Sequence, residues 1–312
     1  MSKRVLLTGA SGFIGSHCIA PLVTRGYEVH AVTSRKAGER GGVCWHQADL
    51  LDERQCAALV AHVRPMHLLH IAWYAVPGKY WNSAENLRWV QASLGLMQAF
   101  AAAGGRRLVM AGTCAEYDWS HGRCTESDTP LAPTTLYGTC KHALQIMLAA
   151  WCGQVGLSSA WGRVFSLYGP GEHPQRLIAS VISSLLRGED ATCNRGGLVR
   201  DYLHVADVAD AFVALLESDL EGPVNIGSGI GAELKGIVEM IGAKTGRADL
   251  IRVDPRPLPA DEPAVLLADT ARLARIGWKP CFDLDSGLDD AIAWWRRHLN
   301  DLTARRGSPS PH

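Results

Sequence analysis

The sequence predicts an α/β fold in which helices cover both faces of a doubly wound parallel sheet. Short apolar runs alternate with longer amphipathic stretches, and a glycine-rich turn joins the first run to the first stretch. The chain has 312 residues, of which 47% are hydrophobic and 20% are charged. This length corresponds to about two domains, and the composition argues against a disordered or coiled-coil chain.

Apolar runs and capping residues define the predicted elements. Strands are predicted over residues 4–8, 28–33, 42–46, 67–72, 107–111 and 158–165, and helices over residues 12–25, 52–63, 82–103 and 137–155. The first strand stops at glycines after a few apolar residues, so it is too short for a signal peptide. Asp52 is expected to cap the second helix, because its side chain can accept N–H groups of the first turn.

Charge and cysteine usage narrow the possible function classes. Lysine plus arginine and aspartate plus glutamate both number 31, so the formal net charge is zero. A neutral chain gives no electrostatic reason to expect nucleic-acid or anionic-membrane binding, and no apolar run reaches the roughly 18 residues of a membrane helix. The nine cysteines form no C-x-x-C pair, which predicts no metal site and is typical of reduced thiols in the cytoplasm. The histidines His17, His30, His46 and His62 are not expected to cluster.

A glycine-rich turn, Gly9-Ala10-Ser11-Gly12-Phe13-Ile14-Gly15, lies between the first strand and the first helix. Glycines permit a tight turn and a close approach of the backbone to a pyrophosphate, and a helix N-terminus supplies free N–H groups. The spacing is G-x-x-G-x-x-G rather than G-x-G-x-x-G, so the glycines alone are weak evidence. Their position at the start of a β-α-β pattern favours a dinucleotide site over a plain strand–helix turn.

The end of the second strand indicates which dinucleotide is bound. A carboxylate at this point would bind the ribose hydroxyls of NAD, but this chain has Thr33-Ser34-Arg35. An arginine with hydroxyl neighbours favours a 2′-phosphate. We therefore predict NADP(H), with Ser34 and Arg35 as contacts and with Asp49 and Leu50 near the adenine. The alternative is a solvated basic loop.

The second half of the chain has a different pattern. After residue 167 the elements become shorter, and Pro and Gly are more frequent, as in Tyr168-Gly169-Pro170-Gly171. We predict a Rossmann-type NADP-binding domain over residues 1–167, to which residues 201–230 contribute. A smaller interleaved α/β substrate domain is predicted over residues 168–300, and residues 301–312 are expected to be a flexible tail.

Tyr137 and Lys141 form a Y-x-x-x-K pair, which places both side chains on one face of a helix. A lysine ammonium beside a phenol favours the phenolate and lowers the phenol pKa from about 10. Such a phenol can pass a proton to or from a carbinol oxygen while a hydride moves at the carbon. Thr113 ends the fifth strand, where its hydroxyl could bind the same oxygen. Taken alone, the pair is equally typical of a helix surface.

Together these motifs resemble the extended short-chain dehydrogenase/reductase family, and within it the nucleotide-sugar epimerase, dehydratase and reductase group. The resemblance runs from about residue 3 to residue 298. The pieces that carry it are the glycine turn, His70-Ile71-Ala72, Thr113 with Tyr117, Tyr137 with Lys141, Tyr168-Gly169-Pro170-Gly171 and residues 200–209, 225–229 and 277–280. These pieces are specific for the family and much less so for the reaction.

The resemblance implies roles for individual residues. Tyr137 would be the acid/base, Lys141 would hold the nicotinamide ribose and tune Tyr137, and Thr113 would orient a sugar hydroxyl or carbonyl. Further cofactor contacts would be Ile71, Ala72 and Phe165, and further substrate contacts would be Ser166, Arg200 and Arg256.

Arg200 matches the family arginine that binds the substrate diphosphate, and a forked guanidinium suits that group. The alternative for Arg200 is an ion pair with Asp201 or Asp207. Arg256 aligns less cleanly with a second family arginine. The two long helices match a pair that many members use to dimerise, so a homodimer is expected.

Departures from the family pattern narrow the reaction. The dehydratases carry Asp-Glu directly after the active-site threonine, whereas this chain has Cys114 and Ala115. Alanine cannot move a proton, so dehydratase chemistry is not expected. The segment after residue 72 contains four aromatic residues, Trp73, Tyr74, Tyr80 and Trp81. They could form an apolar wall for a deoxy-sugar methyl group, with Trp73 and Tyr80 touching substrate, or they could pack a domain junction or a dimer contact.

These observations predict an NADPH-dependent reductase of a nucleotide-linked 4-keto-6-deoxyhexose. One alternative is an NAD(P)-dependent nucleotide-sugar 4-epimerase. Two others are a non-catalytic NADP-binding regulator and a reductase of a carbonyl compound that carries no nucleotide.

Overall fold

The computed structural model describes residues 3–35, 42–193, 196–253 and 262–307. The strands are β1 (Lys3–Thr8), β2 (Tyr27–Thr33), β3 (Cys44–Gln47), β4 (His67–His70), β5 (Arg107–Thr113), β6 (Arg123–Cys124), β7 (Ser158–Val164), β8 (Ser166–Tyr168), β9 (Ala191–Cys193), β10 (Val199–His204), β11 (Gly222–Ile226), β12 (Gly231–Glu233), β13 (Ile251–Val253) and β14 (Val265–Ala268). The helices are α1 (Phe13–Thr24), α2 (Glu53–Val63), α3 (Glu85–Ala102), α4 (Leu136–Val155), α5 (Leu177–Arg187), α6 (Val205–Glu217), α7 (Leu234–Thr245), α8 (Ala271–Ala274) and α9 (Leu284–Gly307).

A seven-stranded sheet forms the centre of the molecule, with the order β11-β7-β5-β4-β1-β2-β3. Every neighbouring pair in it is parallel. The strand order reverses between β1 and β4, and ligands of open α/β sheets bind at the carboxyl ends of the strands at such a point. The predicted doubly wound α/β class is confirmed.

Alternate residues of each strand fill the two faces of this sheet, because successive side chains point to opposite sides. Val5 and Leu7 of β1 belong to an apolar cluster with α1 and α6, whereas Leu6 belongs to a cluster with α2, α3 and α4. Both faces are therefore covered, which explains why the strands are continuous apolar runs.

A smaller sheet with the order β12-β10-β14-β6 lies in the second half of the fold, and β8 also pairs with β10. A third apolar cluster joins α5, α7 and α9. Of the elements within residues 201–230, α6 and β11 pack with the seven-stranded sheet, whereas most of β10 pairs in the smaller one. The predicted domain boundaries stay predictions. In the part of the chain that is described, no helix has the length and apolar character to cross a membrane.

The carboxyl ends of two predicted strands are displaced by two residues. β4 ends early because the N–H groups of Ile71 and Ala72 donate to the Thr8 hydroxyl at 3.2 and 3.3 Å instead of joining the sheet. β5 runs on to Thr113, which pairs with Val164 of β7. Asp52 caps α2 as predicted, since its carboxylate accepts the backbone N–H groups of residues 54 and 55.

The prediction that the histidines lie apart is wrong for three of them. His30 Nδ1 and His46 Nε2 are 2.9 Å apart, and the rings of His46 and His62 are 6.1 Å apart. Glu28 Oε1 lies 3.0 Å from His30 Nε2. The pairing of β2 with β3 brings these residues together, and their spacing along the chain does not reveal it.

Candidate active site

The three predicted catalytic residues meet at the carboxyl end of β5. Thr113 is the last residue of that strand, and its side chain shares a hydrogen bond with Tyr137 at the start of α4. Lys141, one turn further along α4, donates from Nζ to the carbonyl oxygen of Ala111 at 2.8 Å. Thr113 and Lys141 are buried, and Tyr137 is partly exposed.

Gly138 lets α4 approach the end of β5 this closely. A Cβ at this position would overlap the carbonyl oxygen of Ala115, in the 3₁₀ turn Cys114–Glu116 that follows β5. The start of α4 is fixed on both sides, because Thr135 caps it by accepting the Gly138 N–H and the Tyr137 N–H donates to the Trp81 carbonyl at 2.9 Å. The sequence contained this glycine within the Y-x-x-x-K pair, but spacing alone did not assign it a role.

A buried ion pair stabilises the 3₁₀ turn. Glu116 and Arg163 are both fully buried, with Oε2 and Nε 2.7 Å apart. The other carboxylate oxygen of Glu116 accepts the Thr113 backbone N–H at 2.9 Å and the Trp161 indole N–H at 2.8 Å. Glu116 therefore fixes the backbone of Thr113, and both of its carboxylate oxygens are bonded within the fold.

Aromatic rings surround Tyr137. The ring of Tyr80 lies 4.9 Å from it and that of Trp81 lies 5.8 Å away, both edge to face. Trp73 belongs to the same loop, but its ring faces Lys141 at 3.7 Å rather than Tyr137. Of the two roles considered for the loop, these contacts fit a wall of the site.

The predicted lowering of the Tyr137 pKa is wrong. Burial raises the pKa of Tyr137 above that of a free phenol, and the hydrogen bond with Thr113 opposes this only in part. The Lys141 ammonium faces the Ala111 carbonyl and the Trp73 ring, and burial lowers the pKa of Lys141 to about 7. Tyr137 is therefore a protonated phenol at neutral pH.

The glycine turn forms a cradle at the switch point of the sheet. Gly9 has φ +69° and a Cβ there would lie 2.8 Å from the Ala72 nitrogen, so the turn touches the segment after β4. A Cβ at Gly15 would overlap the Gly9 carbonyl. Gly12 caps α1 without a side chain, and no acidic residue stands in the first helical turn. Ser11, Phe13 and Ile14 complete the turn, which fits the pyrophosphate of a dinucleotide.

The end of β2 lies beside this cradle. The Thr33 hydroxyl donates to Ser11 Oγ at 3.5 Å and accepts the Arg35 N–H at 3.2 Å, and the side chains of Ser34 and Arg35 are exposed. After β3, Asp49 is exposed and its carboxylate accepts the N–H of residue 51, whereas Leu50 is buried. These positions suit the adenosine end of a dinucleotide.

A family model described as the NAD dependent epimerase/dehydratase family matches residues 5–227. The chain belongs to this family. The predicted resemblance to the extended short-chain dehydrogenase/reductase family and its nucleotide-sugar group is thereby confirmed.

Named relatives cover nearly all of the chain. The UDP-glucose 4-epimerase of Corynebacterium glutamicum is 30% identical over 93% of this chain and 95% of its own length. UDP-glucuronic acid decarboxylase 1 of Xenopus tropicalis is 27% identical over 99% of this chain and 76% of its own length. The structure of Thermus thermophilus UDP-glucose 4-epimerase in complex with NAD is 28% identical with a TM-score of 0.79, and the match covers 94% of this chain and 99% of that chain.

The remaining predicted residues of this epimerase/dehydratase family member lie around the second sheet. Ser166 begins β8 and is partly exposed, and Phe165 is buried beside it. Arg200 is buried and its Nη2 lies 3.2 Å from Glu262 Oε1. Neither Asp201 nor Asp207 pairs with Arg200, because both carboxylates accept backbone N–H groups instead. Arg256 lies outside the described residues.

Arg176, which the sequence analysis does not name as a site residue, contacts the aromatic ring of Tyr80, and Glu172 interacts with Arg176. Arg176 donates a hydrogen bond to Tyr80, and its guanidinium carbon lies 5.7 Å from the centroid of that ring. Glu172 is buried nearby, and this burial raises the pKa of Glu172 to about 8, against the opposing charge of Arg176. Glu172 directly follows the turn Tyr168-Gly169-Pro170-Gly171, but the sequence of this turn does not indicate these partners.

Tyr137, Thr113 and the glycine cradle set what the site of this family member can do chemically. When bound in the cradle, a nicotinamide dinucleotide supplies or accepts the hydride. The Tyr137 and Thr113 hydroxyls share a hydrogen bond, so one small group could contact both of them.

Proposed function

We propose that the chain reduces the C4 carbonyl of a nucleotide-linked 4-keto-6-deoxyhexose with NADPH, and that Tyr137 donates the proton. The observation that carries the proposal is the setting of Tyr137, which is hydrogen-bonded to Thr113 and enclosed by Tyr80 and Trp81. Reduction of a ketone needs a proton donor at the carbonyl oxygen, and the Tyr137 hydroxyl carries a proton at neutral pH. The two aromatic rings offer an apolar surface to a sugar C6 methyl group.

The substrate class is inferred from the relatives. The Corynebacterium glutamicum enzyme is named as acting on a UDP-linked sugar at C4. We infer the same class of nucleotide sugar and the same carbon for this chain. Arg200, Ser166 and Arg256 are proposed as contacts of the diphosphate and nucleotide, and Glu262 would share the Arg200 guanidinium with them.

The cofactor is proposed to be NADP(H) because residues 33–35 include no carboxylate and Arg35 is exposed. Arg35→Ala should raise the KM for NADPH about 10-fold or more, since a charge-assisted hydrogen bond contributes roughly 1.5–3 kcal/mol. The KM for NADH should not change. Steady-state kinetics with each cofactor measures both values, and an unchanged ratio of the two would remove Arg35 from the cofactor site.

A homodimer through α3 and α4 is part of the proposal. Leu87 on α3 is 58% exposed, and Ile146 and Met147 on α4 are 53% and 37% exposed. Exposed apolar side chains on two adjacent helices favour burial against a second copy. Sedimentation velocity should give a mass near twice 33.7 kDa.

A nucleotide-sugar 4-epimerase is the second candidate, and the named relatives favour it. It uses the same three catalytic residues, but Tyr137 would first have to act as a base, against its raised pKa. An epimerase regenerates its own cofactor and consumes none. A non-catalytic regulator is less favoured, because it has no use for Thr113, Tyr137 and Lys141 together.

The test follows NADPH absorbance with dTDP-4-keto-6-deoxyglucose and its CDP, GDP and UDP counterparts. Oxidation of NADPH with one of them would support a ketoreductase and name the nucleotide. Tyr137→Phe is the control, and it should lose about 10²–10⁴-fold in kcat while it still binds NADPH. UDP-glucose, which carries a hydroxyl on C4, is assayed in parallel, and its conversion to a C4 isomer without NADPH oxidation would support the epimerase. No reaction with any of the keto sugars would contradict the ketoreductase.

A further inference from the structure

We propose that Trp73 is a positioning residue for Lys141: its indole face, oriented by Asn86, holds the lysine ammonium at the Ala111 carbonyl beside Tyr137. The inference rests on the proposed function only in placing Lys141 in the catalytic set. Trp73 itself was expected from the sequence to touch substrate.

The contact between the two residues is close and buried. Lys141 Nζ lies 3.7 Å from the centroid of the Trp73 ring and 2.8 Å from the Ala111 oxygen, and the lysine is 4% exposed. A cation over an indole is attracted to its negative face, more strongly when water is excluded. A second indole, Trp161, lies farther away, at 5.8 Å.

The Trp73 ring is held in this orientation by a buried amide. Its indole N–H donates to Asn86 Oδ1 at 2.9 Å. The amide nitrogen of Asn86 donates to the carbonyl oxygens of Tyr80 and Ser83 at 2.7 and 2.9 Å. Asn86 is fully buried. Through these hydrogen bonds it connects the Trp73 ring with the backbone of Tyr80, whose own ring packs on Tyr137.

Two other titratable groups act on Lys141. The Glu116 carboxylate opposes the lowering of the pKa of Lys141 by burial, but it is already bonded to Arg163, Trp161 and the Thr113 backbone. His70, on β4, is kept neutral because burial and the charge of Lys141 lower the pKa of His70 to about 3. The Ala111 carbonyl and the Trp73 face therefore both stabilise the ammonium form, and the Trp73 face is the contact that a side-chain substitution can remove.

NMR titration of the lysine side chains tests the proposal directly. The chain has seven lysines, so ¹³Cε-labelled lysine gives few signals, and the loss of one in Lys141→Met assigns Lys141. In the native chain the Lys141 midpoint should lie well below those of the other lysines. Trp73→Leu keeps an apolar side chain but removes the π face, and its Lys141 midpoint should fall by about one pH unit. Trp73→Phe should give a smaller fall.

Trp89→Leu is the matched control, because the Trp89 ring packs 6.1 Å from Trp73 and is not among the rings that face Lys141. It should leave the Lys141 midpoint unchanged. An unchanged or higher midpoint in Trp73→Leu would overturn the proposal and leave Trp73 a packing residue. If Trp73→Leu does not fold, an unchanged or higher Lys141 midpoint in Trp73→Phe would overturn the proposal, and a lower one would support it. The titration needs no substrate, so it stands whether or not NADPH is oxidised in the assay above.

Discussion

Two cations are buried near Glu116, and the protein holds them differently. Arg163 donates to the Glu116 carboxylate at 2.7 Å and to the Tyr117 hydroxyl at 3.0 Å. Lys141 has a backbone carbonyl and an indole face instead. A charge bonded to a buried carboxylate is fixed and serves the fold. A charge held only by dipoles can lose its proton near neutral pH, which is the property expected of a catalytic group.

Removing the paired cation should have the largest effect on stability. Arg163→Met leaves the Glu116 carboxylate buried without its partner, which costs about 3–5 kcal/mol. Urea denaturation measures the free energy of unfolding. The control is Arg187→Met, whose ion pair with Glu189 is solvent-exposed and should matter by less than about 1 kcal/mol. Equal losses of unfolding free energy in the two variants would mean that the buried ion pair contributes no more to stability than the exposed one.

Gly138 allows α4, which carries Lys141, to pack against the 3₁₀ turn that carries Glu116. Gly138→Ala should destabilise the chain by about 1–3 kcal/mol and lower kcat, because the new methyl group pushes α4 away from Ala115. Gly153→Ala, on the same helix, meets nothing within 4 Å and should be neutral or stabilise by up to about 1 kcal/mol. Thermal unfolding and kcat measured on both variants test the prediction, and a stabilised, fully active Gly138→Ala would contradict it.

The lowered pKa of Lys141 should make the free energy of unfolding depend on pH. The folded pKa of Lys141, about 7, lies below the unfolded value near 10.4, so in this window the unfolded chain binds more protons. The native chain should therefore gain stability over Lys141→Met as pH rises from 7 towards 10, by roughly 1 kcal/mol per pH unit. This gain in the free energy of unfolding is complete above the pKa of Lys141 in the unfolded chain. It disappears as the pH falls through the pKa of Lys141 in the folded protein.

Urea denaturation of both proteins at several pH values measures this difference. A difference that does not change with pH would mean that Lys141 keeps an ordinary pKa in the folded protein. Arg163 provides the contrast, since it stays charged throughout this range.

Local patterns in the sequence predicted the sheet, the glycine cradle and the meeting of Thr113 with Tyr137. Each depends on periodicity or on positions at the ends of neighbouring strands. The contacts of Lys141 with Trp73 and of Arg200 with Glu262 depend on the path of loops between distant elements, so no spacing indicates them. The prediction that Lys141 lowers the pKa of Tyr137 is wrong for a similar reason. The i, i+4 spacing places both residues on one helix face, but it does not determine where the end of a long side chain lies.

Deuterium transfer tests the proposed reaction most directly. NADPH deuterated at both C4 positions is supplied with each of the four nucleotide-linked 4-keto-6-deoxyhexoses and, separately, with UDP-glucose, and the products are analysed by NMR and mass spectrometry. The proposal predicts one deuterium at sugar C4, with one NADPH oxidised per sugar, and loss of both in Tyr137→Phe. Unreacted keto sugars, together with conversion of UDP-glucose to a C4 isomer that carries no deuterium while NADPH is unchanged, would contradict net reduction and favour the epimerase.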